Sequence, residues 1–208
     1  MHVLAPAVVG HNIAPARRLE IRRALGIADS ETLLVCPNEM IRYAGHKYAM
    51  WCHAVVMQVN SNVRLLLPGG GEYASGVRCF AQTTGYASQV LLTEDQFSRE
   101  DCLAASDIAV FLVERDCGVS MMAQAFACGT AVAASSTPDI VEVTGDGERA
   151  VLAPPADPRL GSAAILKLID EPNYARQLAQ RAGNFAMESL NQAQICLCLV
   201  NIYAQAIG

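Results

Sequence analysis

The chain has 208 residues, 52% of them hydrophobic and 17% charged, with a formal net charge of -5. That length and apolar content fit one large domain or two small ones, with a sizeable core, and exclude a disordered chain. The acidic balance, with no basic patch, argues against nucleic acid as a partner, and no run of about 18 apolar residues exists to span a membrane.

The predicted elements alternate along the chain. Apolar residues at helical spacing predict a helix over 15–26, before Ile27. The β-rich run TLLVCP (32–37) is a strand stopped by proline, and 47–59 reads as a helix. VRLLLPGGG (63–71) is a strand entering a glycine turn. A helix over 73–85 follows, ending at Gly85, and then the strand SQVLLT (88–93). Ser98 signals the start of a helix over 98–106. DIAVFLV (107–113) is a nearly all-apolar strand, followed by a helix behind Asp116. The strand TAVAAS (130–135), a short helix near 138–144 and the strand RAVLAPP (149–155) come next. Three helical segments close the chain, at about 157–170, 172–188 and 190–206. ADPRLG, from Ala156, reads as a turn and not as a domain linker.

Strand–helix alternation with continuous apolar strands predicts an α/β domain: a parallel sheet covered by helices on both faces. Such sheets bind ligands at the carboxyl ends of their strands. The eight cysteines are scattered and form no Cys-x-x-Cys pair. They read as buried, reduced thiols of a cytoplasmic protein. Cys196 and Cys198, two apart, point to different sides of a helix and make a poor metal pair. The leader MHVLAPAVVG lacks the basic segment of a signal peptide.

The stretch VERDCGVSMMAQAFACGTAV (113–132) carries the chemistry. It runs from a strand end through Asp116 into a helix that starts near Gly118. Free backbone N–H groups and the helix dipole make that start a site for a diphosphate. Gly118 lets a phosphate approach the backbone. Asp116 repels phosphate but accepts hydrogen bonds from sugar hydroxyls, and Gln124 is placed to bond a ribose hydroxyl. A plainer reading of the same residues is a capping Asp116, a turn at Gly118 and a core-edge amide at Gln124.

The stretch resembles the signature of the glycosyltransferase group 1 family (family 4 type), in its nucleotide-sugar-binding half. Asp116 and Gln124 occupy the two acidic positions of the pattern, and AFACGTAVAAS (125–135) matches the turn and strand that follow. YAGHKYAMWCHAV (43–55) is similar to the family's Lys-Gly-His loop, and LLLPGGGE (65–72) to its strand and glycine turn. QVLLTEDQ (89–96), with LAASDIAVFLV (103–113), is similar to the segment lining the base pocket. IVEVTGDGERAVLAPPADP (140–158) resembles the family's acidic turn.

The resemblance implies a Rossmann-like three-layer α/β/α domain with a parallel sheet, one half of a GT-B glycosyltransferase. It implies a single domain over 1–208, with 1–14 as interdomain linker and 190–208 as a helix crossing back to a companion N-terminal domain. The implied activity is transfer of a hexosyl group from a nucleotide-sugar to an acceptor, with retained configuration and no required metal or other cofactor. Cys117, Gly118, Val119 and Ser120 would hold the diphosphate, with Gly70 in the facing turn. Val90, Leu91 and Leu92 would border the base, Asp116 would hold the sugar and Gln124 the ribose.

The chain departs from the family pattern at two usual cations. They are Asn38 and Ala44 here, which leaves Arg42 and Lys47 as nearby substitutes. Those departures, with Gln124 in place of a Glu, motivate an alternative: a degenerate, non-catalytic module acting in binding or assembly.

Overall fold

The computed structural model describes residues 6–8, 14–83, 87–94 and 96–207. Six strands are described: β1 (Thr32–Val35), β2 (Val63–Pro68), β3 (Val90–Thr93), β4 (Ile108–Phe111), β5 (Ala131–Ser135) and β6 (Val151–Ala153). All their pairings are parallel, in the order β3-β2-β1-β4-β5-β6. The order reverses between β1 and β4, which sends successive helices to opposite faces. Loops diverge at that seam and leave a crevice at the strands' carboxyl ends.

The helices are α1 (Pro15–Ala24), α2 (His46–Val56), α3 (Ala74–Thr83), α4 (Arg99–Ala105) and α5 (Val119–Ala127). They continue as α6 (Pro138–Thr144), α7 (Pro158–Asp170), α8 (Pro172–Ser189) and α9 (Gln192–Ile207). Two apolar layers sandwich the sheet. Leu33, Phe111, Met122 and Phe126 lie in one; Leu34, Leu65, Met50 and Ile165 lie in the other. This is the three-layer α/β/α arrangement predicted from the alternation.

Local chemistry sets the ends of the helices. Ser98 caps α4 by accepting the Asp101 N–H at 3.0 Å. Pro158 begins α7 behind Asp157, whose carboxylate accepts the Leu160 N–H at 3.0 Å. The segment expected as a turn at 156–161 is therefore mostly the first turn of a helix, because Asp-Pro is a start signal as well as a turn signal. The expected end of α3 at Gly85 lies outside the described residues.

Asp107 closes the amino end of the sheet. Its carboxylate accepts from Arg18 at 2.6 Å, from Arg22 at 3.1 Å and from the Leu33 N–H at 2.8 Å. Of the expected linker, 1–5 and 9–13 lie outside the described residues. Val8 is buried, and its N–H donates to Leu190 O at 2.8 Å.

The expectation of buried thiols is corrected in part. All eight cysteines are free, but Cys79, Cys196 and Cys198 are exposed, and Cys117 and Cys128 are half-buried. The two on α9 follow from that helix's limited packing, which leaves Leu197, Val200 and Tyr203 about 60% exposed.

Candidate donor-binding site

Three turns converge where β1, β2 and β4 end. Close backbone approach holds them together. Gly45 caps α2 with φ +90°, and a Cβ there would lie 2.6 Å from Leu112 O. A Cβ on Gly71 would lie 2.6 Å from Met40 O, while Met40 N–H donates to Gly70 O at 3.0 Å. No side chain larger than hydrogen fits at these contacts.

The start of α5 forms one wall. Gly118 is its N-cap, with φ +86°, and no side chain caps the helix. Its first N–H groups are left without the usual side-chain partner and carry the positive end of the dipole. Asp116 is therefore not a helix cap, which sets aside the plainer reading for that residue. Opposite stands Asn38, 4% exposed. Its Nδ2 donates to Ala44 O at 3.0 Å, and its Oδ1 has no partner among the described residues. A buried amide oxygen without a partner is costly. The cleft that Asn38 and Gly118 line has a volume of about 270 Å³, and Glu39, Ser120 and Met121 also line it.

A second cleft of about 440 Å³ adjoins it. Gly69, Gly70, Glu94, Phe97, Ser98 and Glu100 line it, and Met121 and Arg99 line both. Together the two clefts join an apolar and aromatic rim, a glycine turn and an uncapped helix start. That set fits an elongated ligand with a flat ring at one end and an anion in the middle.

Two titratable groups border the site. Asp116 is exposed, and a hydrogen bond with Asp139 holds its carboxyl above the usual carboxylate range. Asp139 also accepts the Thr137 hydroxyl at 2.6 Å and the Ile140 N–H at 2.8 Å. His46 is 2% exposed. Burial, with a smaller contribution from the Arg99 charge, pushes its pKa down to about 4. The Asn38 backbone lies near the ring without good hydrogen-bond geometry, and neither ring nitrogen has a partner among the described residues.

The residues expected from the sequence divide into groups. Gly70, Cys117, Gly118 and Ser120 line the clefts. Val119 begins α5 and packs against the core. Val90 is buried in β3, while Leu91 and Leu92 are half-buried against opposite apolar layers, short of the cleft rim at Glu94 and Phe97. Gln124 is half-buried, and its Nε2 contacts Cys128 Sγ at 3.9 Å. Arg42 lies over the Tyr73 ring at 5.8 Å and Lys47 over the Tyr48 ring at 5.1 Å. Neither of these two cations lines a cleft.

Arg99 and Phe97 escaped the sequence reading. Their only local signal was position, beside the cap Ser98 and after a strand. Among the described residues no group of three or more His, Cys, Asp or Glu is placed to hold a metal ion. No helix among them is long and apolar enough to cross a membrane.

Comparisons with known proteins agree with this architecture. The family described as "Glycosyl transferases group 1" matches residues 17–185. No curated protein matches in sequence. The structure of Anabaena HepE in complex with UDP and glucose superposes with a TM-score of 0.85 at 15% identity, covering 96% of this chain and 55% of that one. Sucrose-phosphate synthase from Thermosynechococcus elongatus gives 0.77 at 20% identity, covering 95% and 51%. The C-terminal domain of a group 1 family protein (LpcC) from Francisella tularensis gives 0.73 at 15%, covering 88% and 97%. At these identities the likeness establishes the fold. The chain spans about half the length of the first two structures.

Proposed function

Because the chain belongs to the glycosyl transferases group 1 family, we propose that it is the donor-binding domain of a retaining glycosyltransferase. It binds a nucleotide-sugar, and the whole enzyme transfers the hexosyl group to an acceptor without a required metal. The start of α5 carries this reading: an uncapped helix end beside the buried, unpartnered Oδ1 of Asn38, on a cleft that both Asn38 and Gly118 line. The Cys117–Ser120 turn takes the diphosphate. Asp116, exposed beside it, accepts sugar hydroxyls. The base lies beyond the end of β3, near Val90, Leu91 and Leu92, and Gln124 serves the ribose.

In the reaction the anomeric C–O bond to the diphosphate breaks, a bond to the acceptor's hydroxyl oxygen forms on the same face, and the hydroxyl proton passes to the departing diphosphate. Negative charge grows on the departing diphosphate, and preorganised N–H groups stabilise it. The acceptor is held by a companion N-terminal domain, and α9, with its exposed Leu197, Val200 and Tyr203, is the helix that crosses to it. The protein acts in the cytoplasm. The HepE structure holds UDP, which makes UDP the first nucleotide to try.

Thermal melting against UDP, GDP, ADP and their sugar conjugates at millimolar concentration tests the reading. A ligand present at about a hundred times its dissociation constant adds roughly 2.7 kcal/mol. A rise with one base supports donor binding and identifies the base. A flat panel favours the non-catalytic module, the reading that the uncharged, buried Asn38 and Ala44 motivate.

A further inference from the structure

A diphosphate brings two or more negative charges into the site, and a helix start alone supplies about half a positive charge. The turn between β1 and α2 brings none to the clefts, since Asn38 and Ala44 are neutral and Arg42 lies over the Tyr73 ring. The carboxylates Glu39, Glu94 and Glu100 line the two clefts and make the local potential less favourable to an anion. Arg99 is the one cation lining either cleft among the described residues, and it lines both.

Four observations fix its place. Arg99 is the first residue of α4, held there by the Ser98 cap. Its guanidinium lies against the bare face of Gly69, where a Cβ would sit 2.9 Å from Nη2 and 3.2 Å from Nε. Its charge is felt at His46, at the start of α2. It borders the cleft of Gly118 and Ser120, which Asn38, with its buried, unpartnered Oδ1, also lines. Among the described residues the guanidinium has no hydrogen bond or ion pair. Glu94, on the same cleft, is instead paired with Arg78 at 3.0 Å.

We propose that Arg99 is the diphosphate-anchoring residue of this site, so that α4 supplies the cation that the β1–α2 turn does not bring to the clefts. Its planar fork can bridge oxygens of both phosphates. The same contact strengthens as charge develops on the leaving diphosphate. The bare Gly69 is what allows the guanidinium to lie between the two clefts. This inference rests on the donor-binding reading above.

Calorimetric titration of the full 208-residue chain separates the two. Wild type, Arg99→Gln and Arg99→Lys are titrated with UDP, GDP and ADP and with the matching nucleosides. The expected result for Arg99→Gln is a loss of roughly ten- to hundredfold in affinity for the preferred diphosphate. Affinity for the matching nucleoside changes less than about twofold, and the salt dependence of diphosphate binding falls. Arg99→Lys keeps part of the affinity, having the charge without the fork. If Arg99→Gln binds the diphosphate like wild type, or loses diphosphate and nucleoside equally, Arg99 is not the anchor and the donor-binding reading stands. If wild type binds none of the diphosphates, the donor-binding reading fails and this inference with it. Melting curves of both variants confirm that they fold, as expected for a side chain with no structural partner.

Discussion

A methyl group on Gly118 would lie 2.9 Å from both terminal atoms of the Asn38 amide. The glycine therefore does two things. It supplies the left-handed turn, with φ +86°, that starts α5, and it keeps the cleft open. Gly118→Ala is expected to lose about 1–2 kcal/mol of stability from the backbone conformation. It is also expected to weaken nucleotide binding more than tenfold, because Asn38 is displaced into the cleft. Urea unfolding and nucleotide titration of the same sample measure the two effects separately.

Asp116 should govern the sugar and not the nucleotide. In Asp116→Ala, the advantage of the nucleotide-sugar over the plain diphosphate should vanish, while diphosphate affinity holds within about threefold. Asp139 raises the pKa of Asp116, so the carboxylate that accepts hydroxyls forms only as pH rises through that raised value. Preference for the sugar conjugate should thus grow with pH across the acidic range. In Asp139→Ala it should persist to lower pH. An unchanged preference in Asp116→Ala would remove this residue from the site.

His46 makes stability depend on pH in a set direction. Its pKa is about 4 in the fold, against an ordinary value of about 6.5. Between those values the unfolded chain binds the proton and the folded chain does not, so stability rises with pH there. The contribution is complete above about pH 6.5, falls as pH drops, and is gone below about 4. It amounts to roughly 3 kcal/mol in all. His53, also lowered by burial, adds in the same sense. Urea midpoints at pH 7.5 and 5 should therefore differ less in His46→Gln than in wild type.

Gly45→Ala tests the packing of the turns themselves. The new Cβ would lie 2.6 Å from Leu112 O, on backbone that cannot rotate away. With φ +90° as well, the loss should be at least about 2 kcal/mol. Nucleotide affinity should fall with it, because Leu112 leads into the turn that holds Asp116 and Gly118. Gly129→Ala is the matched comparison. It also has positive φ but meets nothing within 4 Å, so it should cost only the backbone part.

The fold was legible wherever local chemistry and tertiary demand agreed. The helix near 138–144 was expected and is found as Pro138–Thr144, because Pro138 can only begin a helix and Gly145, in the left-handed conformation, ends it. DIAVFLV was expected as one strand over 107–113, yet the strand is confined to Ile108–Phe111. Asp107 is drawn to Arg18, Arg22 and Leu33 N, and Leu112 and Val113 are buried beyond the ladder. The glycine positions of the site were readable from motif order, whereas the cations were not. Arg42 and Lys47 are close to Ala44 in sequence, but their side chains lie over Tyr73 and Tyr48. Arg99 is far from Asn38 in sequence and becomes its neighbour only through the sheet order, which no local pattern encodes.

The sheet is joined at its middle by only two partnered positions, Leu34 with Ile108 and Val35 with Ala109. The clefts open directly beyond that short seam, with Asn38 following β1 and Gly118 following β4. The sequence up to β3 builds one bank and the sequence from β4 onward most of the other. A molecule gripped from both banks acts as a suture across the weakest row of the sheet. Its occupancy should be readable far from any contact with it, as slower amide hydrogen exchange along β1 and β4, while the β4–β5 ladder, with four partnered positions, changes little.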